Sequence, residues 1–309
     1  MTDLRTVPLP DRRIDAAELV PPDAPEAVVL GEVRARLGER PLLDARDGSL
    51  VWVDIDARSV HRWAGGDHAR DEVVSVPSQV SVAWPARGGL LLATADGIGV
   101  HDGTTLGPLT RPGTMPGDYR FNDGACDGAG RLWVATMPRD GSTGEGTVYR
   151  VAARADGALD VTAVVTGVGC GNGVAWSPDG STLYLTDSAT RTVYRAPFDV
   201  AAGTVGAWEP FLAFASDGPM PDGTTVDADG CLWVALYGGG AVLRFGPDGT
   251  PRGAVRVPTA RVTCLGFGAP GTGRAYVTTA HADGDPLAGA VLGVDVAVDG
   301  LPVREFGEG

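Results

Sequence analysis

Asn122, Asn172 and Asp222 stand 11, 12 and 11 residues ahead of Trp133, Tyr184 and Trp233, and Glu39 stands 13 ahead of Trp52. The four later residues belong to one recurring motif, a Gly followed after two or three residues by an apolar or aromatic marker. The two longer counts contain one extra residue between Gly and marker, so the four oxygen-bearing side chains share a repeat phase to within about one position. Two carboxylates and two amides, with no His or Cys among them, make a donor set for a hard divalent cation such as Ca2+, Mg2+ or Mn2+.

Taken singly, these residues have plainer readings. Asn172-Gly173 and Asp222-Gly223 are tight-turn pairs, Glu39 is a surface carboxylate, and Asn122 is a loop capper. Separate Asp-Gly pairs at 179–180 and 229–230 already supply turns for the same repeats, so the earlier pairs are an additional element at a fixed phase.

The elements that must position this set follow from the whole series of markers. Trp52, Leu92, Trp133, Tyr184, Trp233 and Tyr276 are spaced 40, 41, 51, 49 and 43 residues apart. A period near that length in a β-rich chain predicts an all-β, six-bladed β-propeller of four-stranded antiparallel blades, in which equivalent positions of different blades face one axis. Strands are expected over residues 49–55, 90–95, 132–137, 147–151, 183–187, 192–196, 232–236, 241–245, 274–279 and 290–296, with strand-like composition also at 27–30 and 32–36. No stretch shows a sustained helical period. The chain ends soon after 290–296 and 302–306, which leaves the last blade one strand short. An N-terminal strand is expected to complete it and close the ring, with residues 1–26 an irregular leader and 27–309 a single domain.

Composition narrows the function classes. The 309 residues carry a formal charge of −14, which argues against nucleic acid. All 25 basic residues are Arg, so Schiff-base chemistry and a phosphate-loop Lys are excluded. Cys126, Cys170, Cys231 and Cys264 form no C-x-x-C pair and read as buried free thiols of a reducing compartment. The first 30 residues lack a basic segment followed by an apolar run, and no eighteen consecutive residues are apolar; a cytoplasmic protein without membrane contact is expected. His61, His68, His101 and His281 fall outside the shared phase and read as surface or loop residues. No G-x-S-x-G elbow or strand-borne G-x-G-x-x-G occurs, so serine hydrolysis and dinucleotide binding lack support.

Several segments resemble the regucalcin/gluconolactonase/luciferin-regenerating enzyme family. They are Leu37-Gly38-Glu39-Arg40-Pro41 (family pattern LGEGP), Arg120-Phe121-Asn122-Asp123-Gly124, Gly171-Asn172-Gly173-Val174-Ala175-Trp176 and Pro221-Asp222-Gly223, with Tyr184-Leu185-Thr186-Asp187-Ser188 and the strands around Trp52, Trp133 and Trp233. The resemblance runs from about residue 27 to the C-terminus. It implies a six-bladed propeller holding one divalent metal ion, Ca2+ first and Mn2+, Mg2+ or Zn2+ as alternatives, and hydrolysis of sugar-type lactones as small-molecule partners.

Residue by residue, the resemblance makes Glu39, Asn172 and Asp222 the metal ligands and places Arg120, Asn122 and Asp140 at the substrate. Arg40 stands where the family has Gly, and Leu43 where it has Trp, which puts substrate identity in question. Arg40 beside a ligand either meets an anionic substrate, offsets negative charge or points into solvent. Asp222 is the candidate general base, doubling as ligand, with Arg120 and Asn122 orienting the lactone. Two alternatives stand beside lactone hydrolysis: the same channel acting on another electrophile, such as a phosphotriester or a specialised biosynthetic intermediate, and a non-catalytic metal-binding scaffold.

Overall fold

Six small antiparallel sheets stand around one axis in the computed structural model, which describes residues 1–64 and 71–308. The chain is therefore the expected six-bladed β-propeller. The innermost strands are β1 (Gly38–Asp44), β2 (Val80–Ala86), β3 (Tyr119–Cys126), β4 (Gly171–Trp176), β5 (Met220–Val226) and β6 (Val262–Phe267). Each turns back into the strand that carries its marker, for example Leu132–Pro138 after β3 and Leu232–Tyr237 after β5. Five of the six markers are buried, and Tyr276 is half-buried. Each large one stabilises its blade by about 2 kcal/mol through area removed from water. Trp133 and Trp233 also satisfy their indole N–H groups, donating to Asp127 Oδ2 at 2.9 Å and Asp227 Oδ2 at 2.8 Å. The helical content among the described residues is two short 3-10 turns, Leu4–Thr6 and Ala16–Leu19.

Val28–Leu30 pairs antiparallel with Val291–Asp295, so an N-terminal strand does complete the last blade and removes two open edges. Residues 32–36 form no strand. The leader before it is tied to successive blades: Thr2–Asp3 pairs parallel with Leu159–Val168, Ile14 bridges Phe214, and Glu26 bridges Arg256. The second blade departs from the four-strand pattern, holding three strands and two isolated bridges, Ile98 to Thr110 and His101 to Leu106. Gly107, Pro108 and Pro112 explain this, since proline cannot donate to a ladder.

The C-terminal tail crosses the far end of the channel. Gly300 bridges Asp227, Trp84 Nε1 donates to Arg304 O at 2.7 Å, and Phe306 N donates to Pro85 O at 2.8 Å. Beneath the tail a cavity of about 380 Å³ is bounded by Trp84, Trp176, Val226, Leu301 and Arg40.

Two expectations about histidine are corrected. His61 and His101 are buried, not superficial: His61 stacks on Trp52 with ring centroids 3.8 Å apart, and His101 Nδ1 accepts from Gly103 N. Each lies on the third strand of its blade, where the pleat turns its ring inward. His281 is exposed, and His68 lies outside the described residues. The four cysteines are free, three buried and Cys170 half-buried.

Candidate metal and catalytic site

Every inner strand carries a β-bulge near its start, and the bulges occupy one phase. The register slips between Glu39 and Leu42, Val80 and Val82, Phe121 and Gly124, Asn172 and Val174, Pro221 and Thr224, and Val262 and Cys264. A bulge frees one or two residues from the ladder and re-aims their side chains. Glu39, Asn122, Asn172 and Asp222 sit in or at the edge of these bulges, which brings residues 183 positions apart in sequence to one end of one channel. All four are buried.

Asn172-Gly173 and Asp222-Gly223 are not turns, because both pairs lie inside strands. Their glycines answer to close packing: a Cβ on Gly173 would stand 2.3 Å from Thr224 Oγ1, and one on Gly223 would stand 2.6 Å from Cys264 Sγ. Neighbouring inner strands can approach the axis only if these residues lack a side chain.

The same phase contains Ser81 and Thr263, which sequence reasoning passed over. Both could have been found by the same count, 11 before Leu92 and 13 before Tyr276. Ser81 Oγ donates to Phe121 O and Thr263 Oγ1 to Gly38 O at 2.6 Å, while Asn122 Nδ2 donates to Gly171 O at 2.8 Å. In each case the acceptor is the carbonyl just before the bulge residue of the next blade. The phase therefore fastens blade to blade as well as lining the channel. Two further residues support Asn172. Asp187 accepts from Gly169 N and Cys170 N, fixing the loop that enters β4, and Ser188 Oγ accepts from Asn172 Nδ2 at 3.1 Å while donating to Pro221 O at 2.6 Å.

With its amide nitrogen held by Ser188, Asn172 presents Oδ1 to the channel, and among the described residues that buried oxygen has no hydrogen-bond partner; neither has the buried Oδ1 of Asp222. Two unpartnered oxygens beside a buried Glu39 are costly unless something positive is placed against them. Burial pushes the Asp222 carboxyl well above its ordinary range, and the charge of Asp123 adds to it. Glu39 is likewise pushed well up by burial, then by the charges of Asp222 and Asp123. Among the described residues no three His, Cys, Asp or Glu side chains converge on one point, and the candidate set has only two carboxylates beside its amide. This donor chemistry fits a hard divalent cation held by Glu39, Asn172 and Asp222.

Arg120 is buried on β3, with Nη1 donating to Asn122 Oδ1 at 2.6 Å and to Phe121 O at 3.0 Å; its Nε has no partner among the described residues. Asn122 thus spends both amide groups on the protein and holds Arg120 in place. Burial lowers the Arg120 pKa. Asp140 is not brought into this cluster. It is exposed on the loop after Leu132–Pro138, where Oδ1 accepts from Ser142 N and Oγ. The Arg40 guanidinium also lies apart from Arg120, engaged by Asp123 and by the carbonyls of Val174 and Thr224. Cys170 stands at the entrance of β4, and burial, with the charge of Asp222, pushes its thiol up to about 12, so it is no nucleophile at neutral pH.

A Ser–His–Asp chain does exist elsewhere, Ser59 Oγ to His61 Nε2 at 3.0 Å and His61 Nδ1 to Asp71 Oδ2. It lies within the first blade with Ser59 only 5 % exposed, which leaves an acyl group no approach.

Comparison with known proteins agrees with the fold. The family description "SMP-30/Gluconolactonase/LRE-like region" matches residues 37–281. The chain is 36% identical over 282 residues to pentonolactonase XacC of Haloferax volcanii, covering 88% of this chain and 94% of that protein. It is 32% identical to the L-arabinolactonase of Azospirillum brasilense, covering 92% and 96%. Among solved structures, a calcium-binding protein, regucalcin, from Agrobacterium tumefaciens superposes with a TM-score of 0.82 at 30% identity, covering 92% of this chain and 97% of the other.

Proposed function

Because this chain belongs to the SMP-30/gluconolactonase/LRE-like family, we propose that it hydrolyses sugar-type lactones with a divalent cation held by Glu39, Asn172 and Asp222. The observation that carries this reading is the pair of buried, unpartnered oxygens, Asn172 Oδ1 and Asp222 Oδ1, at one phase of the ring. Oxygen-only donors favour Ca2+, and a structural neighbour is described as calcium-binding. Relatives named for pentonolactone and arabinolactone hydrolysis point to aldonolactones as the substrate class.

When bound, such a cation supplies Lewis-acid polarisation of a carbonyl and makes water more acidic. The protein supplies the rest. Asp222 takes a proton from the attacking water as the water oxygen bonds to the ring carbonyl carbon. Arg120, held by Asn122, presents its unpartnered Nε and remaining N–H groups to the negative charge that develops on the carbonyl oxygen. The bond from the carbonyl carbon to the ring oxygen then breaks, the proton returns to that oxygen, and a hydroxy acid leaves. Asp140, exposed on the loop after Leu132–Pro138, is the remaining candidate for contact with sugar hydroxyls.

The test is a pH-indicator assay of chelator-treated protein on a panel of aldonolactones and organophosphates, with Ca2+, Mn2+, Mg2+ and Zn2+ restored one at a time. Acid release from aldonolactones that requires a restored ion is the expected result. Turnover of organophosphates alone, turnover of nothing, or equal turnover by Asp222→Ala would each sink the reading.

A further inference from the structure

Arg40 occupies an unusual place for a charged residue. Its φ of 45° lies in the left-handed region, where an L residue costs about 1 kcal/mol or more. It also precedes Pro41, which restricts it further. The bulge of β1 sends its side chain inward, and only 7 % of the residue is exposed. From there the guanidinium reaches all five other inner strands. It lies 5.6 Å from the Trp84 ring centroid on β2. Nη1 donates to Asp123 Oδ2 on β3 and to Thr224 O on β5, and Nη2 donates to Val174 O on β4, each at 3.4 Å. Cys264 on β6 is in hydrogen-bonding reach. A side chain that meets every blade lies on the axis. Contacts this long are not short charge-assisted bonds, so enclosure by the ring, rather than any one partner, holds it there.

The charges around it explain what it does. Glu39, Asp123 and Asp222 bring three buried carboxylates to the channel. Arg120 offsets one charge from the mouth side, and Arg40 offsets another beside Asp123. Among the described residues Asp123 accepts only from Gly124 N and Arg40, and its charge is felt at both Glu39 and Asp222. An arginine keeps its charge even when buried, so this compensation does not switch off with pH. Building on the cation site proposed above, we propose that Arg40 is a built-in counter-cation that sets the affinity of that site. By neutralising Asp123 it keeps a divalent ion exchangeable, and it closes the channel beneath the ligands. The strained backbone is retained because a glycine, unstrained at this φ, would carry no charge to the axis.

The test is calorimetric titration of chelator-treated protein with Ca2+, and with Mn2+ in parallel, on three variants. Arg40→Met removes the charge while keeping an unbranched apolar stem. At the separations involved, one unit charge changes divalent affinity by about tenfold. Arg40→Met should therefore bind Ca2+ about tenfold more tightly and show a larger metal-induced rise in Tm, and Asp123→Asn should bind about tenfold more weakly. The double variant should return to within about threefold of wild type. If Arg40→Met fails to fold, the weakening in Asp123→Asn and its reversal in the double variant still decide the matter. Wild-type affinity in both Asp123→Asn and the double variant would overturn the role of Arg40 and leave the cation site standing. A wild-type protein that takes up neither Ca2+ nor Mn2+ would overturn the cation site itself.

Discussion

On β1, β3 and β5 an oxygen-bearing residue at the channel is followed five positions later by a buried aspartate: Glu39 by Asp44, Asn122 by Asp127, Asp222 by Asp227. The two members of each pair lie toward opposite ends of an inner strand, and their surroundings are opposite in kind. At the far end every aspartate is answered. Asp44 accepts from Arg46 and Arg62, Asp127 from Arg131 and Trp133, and Asp227 from Arg244, Trp233 and Cys231 N. At the channel end Asp222 Oδ1 has no partner, and the carboxyls of Glu39 and Asp222 are pushed up by burial. Burial also acts on Asp44, yet the hydrogen bonds of Arg46 and Arg62 outweigh it and hold that carboxyl at about 2. Burial alone therefore does not mark a functional acid; a buried carboxylate oxygen left without a donor, as at Asp222, does.

The sharpest way to break this contrast is to neutralise one member at a time on β5. Asp222→Asn should lower lactone turnover by about 10³-fold and abolish the metal-induced rise in Tm. It should also raise the Tm of the metal-free protein, because an uncompensated buried charge is gone. Asp227→Asn should do the reverse. It takes from Arg244 the buried one of its two carboxylate partners, leaving only the exposed Asp229, and costs about 3 kcal/mol in denaturant unfolding, while Ca2+ affinity stays at the wild-type value. Equal losses of stability from both variants, or of metal affinity from both, would show that the two ends of β5 are not specialised.

The contrast was only half legible in the sequence. The marker spacing revealed six blades, and counting back from the markers gathered Glu39, Asn122, Asn172 and Asp222, because a ring turns a constant offset into a shared direction. The Asx-Gly pairs were ambiguous on their own, since close strand packing and tight turns call for the same residue. Ser81 and Thr263 were within reach of the same count but lack the carboxylate or amide that draws attention. The donors that silence Asp44, Asp127 and Asp227 come partly from later strands, such as Arg62 and Arg244, whose register no local pattern discloses. Arg40 was visible as a departure from LGEGP, but its direction was not, because only the bulge and the φ of 45° decide that its side chain turns to the axis.

A smaller effect separates the two kinds of acid by pH. Asp44 has a folded pKa of about 2 against an ordinary value of 3.8, so its contribution is present above about pH 4 and is lost as pH falls through 2. That difference corresponds to about 2 kcal/mol. Unfolding free energies measured between pH 5 and pH 2 should decline in wild type and decline less steeply in Asp44→Asn, which starts lower. A variant with the wild-type slope would show that Arg46 and Arg62 do not stabilise the charged form.

The smallest expected effects come from the two blades that contribute hydroxyls at the shared phase. Ser81 and Thr263 occupy the same bulge position as the cation-site residues, but their side chains are consumed in blade-to-blade bonds. Phe121 O keeps a second donor, Arg120 Nη1, when Ser81 Oγ is removed, so Ser81→Ala strands no acceptor and should cost about 0.5–1 kcal/mol. Thr263→Val takes the hydroxyl donor from Gly38 O and also loses the 2.9 Å bond to Thr278, and should cost about 1–2 kcal/mol. Both should retain wild-type Ca2+ affinity in calorimetric titration, since neither hydroxyl is spare. A tenfold loss of affinity in either variant would mean that the hydroxyl positions also serve the cation, and that the ring divides its six equivalent places less cleanly between fastening and binding.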